Sequence, residues 1–405
     1  MLLNKYRHLF VVFLLFPSSL VAQLIWTNVG PVDPPPRPRK LLAMGLEPSR
    51  NFLIVFGGLG EDGSVFGDTW IFDTLQEKWY DSNRSPGPEA RYGMLSGVYN
   101  EKFYIASGCN STMCFQDVWS FNIALFVWEK VAIEGSLGFE GRHSAAGGMF
   151  PGSSYLIISG GQTAAGDFLG STFMLDVEHR RFFVLEGWQS AYDPSVPHPR
   201  AFHASTVISP SDLIVQGGCL KHGPCPSSDT WMFSSQSHSW QHIRSCGRAR
   251  NYGAMAIWPE SDASTVEYVL LFGGSTSGSQ LIYGGGTKGT IGTVVVTAAD
   301  GIYAFGGQSK DGSYSNELWY LSGSLEMAPI GSSCTSNDFT LISVHGIFMF
   351  ISFGFLLQIG GLLAQYASTI ATEALPFNWR WGHVGIQVRQ ISQCKCIKIL
   401  VGISY

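Results

Sequence analysis

The residues of this chain with chemistry to offer are cysteines, arginines and two asparagines, not the clustered acids and bases of an enzyme. Cys109 and Cys114 flank one short loop, and Cys219 and Cys225 flank another. In an oxidising compartment each pair would staple its loop with a disulfide. Cys246 and Cys334 could form a further pair, while Cys394 and Cys396 stand close together as S-acylation candidates or free thiols. Asn83-Arg84-Ser85 and Asn110-Ser111-Thr112 are N-glycosylation acceptor triplets. Arginine recurs at Arg39, Arg91, Arg142, Arg200 and Arg250. Arg142 and Arg200 are candidate contacts on a partner-binding face; the plainer role for such arginines is to bond backbone carbonyls between repeats. The chain shows no phosphate-cradling glycine loop, no metal-spaced Cys/His cluster and no nucleophile elbow, so no catalytic residue and no metal ligand is assigned.

Composition says what must hold these groups. Charged residues are 14% of the 405-residue chain, hydrophobic residues are 45%, and there are 48 glycines. Little charge, much glycine and many aromatics suit short strands joined by tight turns, because glycine reaches positive φ without steric cost. A net charge of −5 with no basic stripe argues against nucleic acid as a partner.

Six times an apolar run ends in a pair of small residues: Gly57-Gly58, Ser107-Gly108, Gly160-Gly161, Gly217-Gly218, Gly273-Gly274 and Gly306-Gly307. Most of these pairs lie some fifty residues apart, a propeller period, but Gly274 and Gly307 are much closer together. Eleven to thirteen residues after the pair comes an aromatic: Trp70, Trp119, Phe173, Trp231 or Trp319. Nine residues after the first four of these comes a second: Trp79, Trp128, Phe182 or Trp240. Two rings at that spacing, with a polar turn between, fit the third and fourth strands of one antiparallel blade. An arginine and a new apolar strand then open the next repeat.

The apolar run, the double glycine, Asp-Thr-Trp at 68–70 and 229–231, the later tryptophan and the next arginine together resemble the Kelch repeat, over roughly Leu24 to Ser322. The resemblance, closest in kind to secreted propellers of the attractin or muskelin type, implies an all-β, six-bladed propeller of four-stranded blades. Trp319 has no aromatic nine residues on, whereas Trp26 has no third strand before it, so the N-terminal strand should complete the last blade and close the ring. Gly286 stands where the fifth blade needs its first ring, so that blade should be degenerate. The loops after the small-residue pairs and the links between blades emerge on one face, which also carries the sequons and both cysteine loops.

The ends of the chain suggest export and anchoring. Lys5 and Arg7, the apolar run from Leu9 to Phe16 and Ala22 have the order of a secretory signal over 1–22. The propeller would occupy 23–323, a linker 324–338 and a transmembrane helix 339–366, leaving 367–405 as a basic cytosolic tail. His345 at the start of that helix, then Trp381, His383 and Gln387, resemble the opening of a cytochrome b561 domain. The resemblance would make His345 and His383 axial ligands of haem b, but no histidine follows His383, so the ligand set is incomplete and no cofactor is expected. The function expected is therefore a non-catalytic, membrane-anchored extracellular propeller that recognises a protein or glycan. Transmembrane electron transfer is the alternative. A copper radical oxidase, which would also use a Kelch propeller, is weaker still: His143 and His203 do not occupy equivalent positions in their repeats.

Overall fold

A computed structural model describes residues 23–30, 34–82, 86–135, 138–186, 194–208, 211–243, 248–259, 268–276, 291–324 and 399–401. The assigned elements among them are all strands. The first blade is β2 (Ala43–Glu47), β3 (Phe52–Leu59), β4 (Val65–Asp73) and β5 (Lys78–Asp81); the second is β6 (Leu95–Tyr99), β7 (Lys102–Ala106), β8 (Val118–Asn122) and β9 (Val127–Val131). The third is β10 (Ala146–Met149), β11 (Tyr155–Ser159), β12 (Thr172–Asp176) and β13 (Arg181–Glu186). In the fourth, β15 (Ala204–Ile208), β16 (Asp212–Gln216), β18 (Thr230–Ser234) and β19 (Ser239–Ile243) form the blade, and the short pair β14 (Arg200–Ala201) and β17 (Cys219–Leu220) caps it. The last blade joins β22 (Val294–Thr297), β23 (Gly301–Phe305) and β24 (Leu318–Ser324) to β1 (Gln23–Asn28), which runs antiparallel to β24 from Gln23↔Ser324 to Asn28↔Trp319. The chain thus closes its last blade with its N-terminal strand, and Trp26 packs edge-on against Phe272 at 5.5 Å between ring centroids.

Among the described residues five blades are complete, where six were expected with the fifth degenerate. The remaining sector holds the antiparallel pair β20 (Ala254–Trp258) and β21 (Tyr268–Phe272), with β25 (Ile399–Val401) alongside β21 in parallel. Residues 277–290, where the outer strands of this sector would fall, lie outside the described residues, and only 33 residues separate Gly274 from Gly307.

The core is divided among the sector boundaries. Between the first two blades, Ala43, Ile54 and Phe56 meet Met94, Phe103, Ile105 and Trp128. Equivalent clusters fill the other boundaries, including both flanks of the two-stranded sector. The fourth-strand rings do the bridging. Trp128 lies edge-on to Phe56 at 5.1 Å, and Trp79 reaches Phe305 of the last blade at 5.2 Å. Burying a ring of this size contributes about 2–3 kcal/mol, so each boundary is held by its own side chains and the short sector still closes the circle.

The signal at 1–22, the linker, the membrane helix at 339–366 and most of the tail lie outside the described residues, as do Asn83, Cys246, Cys334, Cys394, Cys396, His345, His383 and Gly286. Among the described residues no helix is long and apolar enough to cross a membrane.

Candidate functional site

The repeated arginines are the posts on which the loop face stands. In the first blade Arg39 donates from Nε to the Arg37 carbonyl and from Nη1 to the Gly57 carbonyl at 2.9 Å, and its guanidinium grips Asp68 at 2.6 and 2.7 Å. Asp68 also accepts the Trp70 indole N–H at 2.7 Å. Arg91, Asp117 and Trp119 repeat the arrangement, as do Arg200, Asp229 and Trp231. Burial pushes each carboxylate up, but the arginine hydrogen bonds and charge outweigh it and hold Asp68, Asp117 and Asp229 below the usual carboxylate range. The third-strand ring therefore serves the arginine post, while the fourth-strand ring packs the blade boundary.

The double glycine connects neighbouring blades. The Gly58 amide donates to the Arg91 carbonyl at 2.9 Å, and Gly108, Gly161, Gly218 and Gly307 repeat the bond to the arginine of the next blade. Gly57 and Gly58 adopt φ of 65° and 109°, and a Cβ on Gly57 would lie 2.6 Å from the Arg91 carbonyl oxygen. In the second blade Ser107 takes the first position, its hydroxyl bonding the carbonyls of Phe115 and Arg142.

Arg142 and Arg200 are consequently not partner contacts. They are 1% and 3% exposed, and they bond the Gly160 and Gly217 carbonyls at 3.0 and 3.1 Å, the plainer of the two roles considered. Arg142 differs from its counterparts in one respect. Ser171 stands where they have aspartate and Phe173 where they have tryptophan, so Nη2 has no partner among the described residues. Phe139 and Phe173 lie 5.0 and 5.3 Å from the guanidinium instead. Burial lowers the Arg142 pKa to about 10.

What the loop face presents is the mouth of the ring. Two residues after each arginine the backbone turns left-handed: Leu41, Ser144, Phe202 and Tyr252 have φ of 54°, 52°, 61° and 53°, and Gly93 shares the conformation, as does Gly292 in the last blade, which follows Thr290 and not an arginine. Each of these amides donates to the carbonyl of the equivalent residue in the preceding sector. Leu41, Gly93, Ser144, Phe202, Tyr252 and Gly292 so form one closed hoop of backbone hydrogen bonds of 2.6–3.3 Å. Just outside it, the residue after each arginine pairs with the residue after each small pair: Tyr92 with Cys109, His143 with Gln162, Asn251 with Ser275.

Aromatic rings follow one another around this mouth. Tyr92 and His143 are 5.3 Å apart, His143 and Phe202 5.9 Å, and Phe202 stacks on Tyr252 at 4.6 Å. Phe168 stands edge-on to Phe202 at 6.1 Å. Burial pulls His143 down to about 4, so it is neutral. Burial, then the neighbouring Tyr92 and Tyr314 phenols, push Tyr252 up to about 12. His203 lies beneath the mouth, buried, with both ring nitrogens lacking a partner among the described residues; burial and then Arg200 lower it to about 3. Lys40 reaches across to Gln308 and sits over the Tyr314 ring. Two disulfides, Cys109–Cys114 and Cys219–Cys225, brace the rim loops on either side of His143. Asn110 lies inside the first loop, its carbonyl oxygen accepting from Thr112 and Met113. Among the described residues no three His, Cys, Asp or Glu side chains converge as a metal site.

Sequence reasoning found the arginines, glycine pairs and cysteine loops but missed the ring of aromatics. The signal was an aromatic one or two positions after the arginine, at Tyr92, His143, Phe202 and Tyr252.

Residues 16–191 match the family described as the KLHDC2/KLHL20/DRC7 Kelch-repeats domain. Among curated proteins, Adagio-like protein 3 of Oryza sativa subsp. japonica is 26% identical over 255 residues, 58% of this chain and 39% of that protein. Serine/threonine-protein phosphatase BSL2 of Arabidopsis thaliana is 29% identical over 209 residues, covering 49% of this chain and 19% of its own length. Human Kelch domain-containing protein 3 is 29% identical over 119 residues, or 29% of this chain and 30% of that protein. The chain therefore spans well under half the length of these relatives. Five antiparallel blades and arginine posts joined by glycine pairs make the described part of the chain a β-propeller, similar to Kelch-repeat proteins.

Proposed function

We propose that this chain is a non-catalytic interaction propeller that recognises a protein partner on its loop face and is exported from the cell. The observation that carries the first part is the mouth, where a line of half-buried rings is presented on a hoop of backbone hydrogen bonds. Loops positioned by a rigid scaffold are where binding residues concentrate. Export is supported by the signal-like order of residues 1–22 and by two disulfides in the rim loops, since such bonds persist in oxidising compartments. The apolar stretch at 339–366 is long enough to cross a bilayer, but β25 pairs with β21 and so sets residues 399–401 beside the propeller, which corrects the cytosolic tail expected for the whole of 367–405. Nothing in the described residues favours a glycan ligand, haem-based electron transfer through His345 and His383, or copper chemistry at His143 and His203.

Two measurements test the reading. A photo-reactive residue at Met113, 50% exposed in a rim loop, should cross-link a protein partner on cells, whereas one at Leu125, 68% exposed in the turn at the opposite end of β8, should not. Equal capture at both positions would discard the loop face. A glycosidase-sensitive mass on Asn110 is expected for the exported chain, and an unmodified Asn110 in a reduced Cys109–Cys114 loop would contradict export.

A further inference from the structure

The mouth is unusual in which hydrogen-bonding groups it leaves available. Its backbone is self-satisfied: the hoop engages amide and carbonyl of Leu41, Gly93, Ser144, Phe202, Tyr252 and Gly292, and the bridges outside it engage those of Tyr92, His143 and Asn251. The amide side chains of the rim are occupied as well. Gln162 donates to the Gly166 carbonyl, Asn251 is held by Ser275 and Cys219, and Gln308 accepts from Lys40. The phenolic hydroxyls of Tyr92, Tyr252 and Tyr314, by contrast, have no hydrogen-bond partner among the described residues. Among the described residues the unoccupied side-chain groups are thus three phenols set beside flat rings, which donate or accept, with only the His143 Nε2 and the Gln162 carbonyl oxygen beside them.

Charge narrows the ligand further. The arginines of the face are buried, Arg39, Arg91 and Arg200 being paired with carboxylates, and Lys40 is already bonded. An acidic or phosphorylated segment would find Lys310 exposed in the rim loop after Gln308, but with Asp311 beside it, so this loop offers no net positive charge. A sugar would bring a donor with every hydroxyl and need acceptors, which the occupied amides and carbonyls supply poorly. An ordinary extended peptide has the same difficulty with its N–H groups. A proline-rich segment does not: proline has no N–H, the polyproline II helix leaves its carbonyls free, and its flat rings suit aromatic-lined grooves.

We propose that the mouth takes an uncharged, proline-rich stretch of the partner in polyproline II form, lying against Tyr92, Phe202 and Tyr252 with its carbonyls accepting from the phenols. This rests on the interaction reading above and specifies the chemistry recognised.

The test is fluorescence anisotropy with the full chain and three labelled probes: an uncharged ten-residue proline-rich peptide, an acidic peptide of equal length, and cellohexaose. The proline-rich probe should bind at least about tenfold more tightly than either other probe. Tyr92→Phe and Tyr252→Phe keep the rings and remove one donor each, so each should weaken it about two- to tenfold, with an unchanged circular dichroism spectrum. Preference for the acidic peptide or the oligosaccharide, no binding of the proline-rich probe, or an affinity indifferent to the double variant would overturn the proposal. Cross-linking at Met113 that the proline-rich peptide fails to compete would leave the interaction reading standing and remove only this inference.

Discussion

The odd post at Arg142 gives the most direct test of how this propeller is held together. Its three fully described counterparts each pair the guanidinium with an aspartate that also accepts an indole N–H, whereas here Ser171 and Phe173 replace both members at once. The substitutions compensate each other: with no indole to satisfy, the carboxylate loses one of its partners, and the Phe139 and Phe173 rings cover the cation instead. Burial pulls Arg142 down to about 10; at about 1.4 kcal/mol per tenfold change, on the order of 3 kcal/mol of charge-burial cost goes unrelieved. The arginine is already desolvated, so a carboxylate at 171 adds only its own desolvation. Ser171→Asp should therefore recover about 1 kcal/mol. Phe173→Trp alone should cost about 1–3 kcal/mol, because it buries an indole N–H without an acceptor. The double variant should exceed the sum of the singles by at least about 1.5 kcal/mol, since any strain of fitting the larger ring is common to Phe173→Trp and the double variant and largely cancels in the cycle. Urea unfolding followed by circular dichroism measures all four proteins. A coupling below about 0.5 kcal/mol would refute the claim that carboxylate and indole form one unit around the arginine.

Other outcomes follow from the same geometry. His203 and His143 are held neutral, at about 3 and about 4, so only the unfolded chain takes up their protons as pH falls below about 6.5. Stability should drop toward pH 4.5 by about 1.4 kcal/mol per pH unit per histidine, and His203→Met, which copies Met94 of the second blade, should roughly halve that slope in pH-dependent melts. Replacing both Cys109 and Cys114 by serine opens a very short loop and should cost about 2 kcal/mol, read as a lower urea midpoint; an unchanged midpoint would mean that the backbone bridges alone hold the loop. Trp26→Ala should cost about 2–3 kcal/mol and loosen β1 from β24, so light scattering should show self-association through the bared edge.

Much of the fold was legible because it repeats. The glycine pairs, the rings nine residues apart and the arginines mark blade geometry wherever the chain keeps them, and the orphan Trp26 correctly foretold the closing strand. The short interval after Gly274 marks the sector whose outer strands would fall outside the described residues. The site was harder to read. Arginines that suggest a binding face in one dimension are drawn inward by carboxylates 26–29 residues away, a pairing visible only once β-strand register is known. The aromatics of the mouth have no common identity, being tyrosine, histidine or phenylalanine at either of two offsets. Only the left-handed turn shared by their strand entries brings them to one rim.

The way β1 meets β24 also determines how the molecule responds to force. Gln23 faces Ser324 across the pair, so the two points where the chain enters and leaves the propeller lie side by side at one end of a six-residue clasp. Tension applied between them would peel the clasp one rung at a time from Gln23 and Ser324, and no step would load all the rungs together. The propeller would open along this seam at low force while its other blades stay folded, and a partner gripping the loop face would pull on rings that belong to different blades.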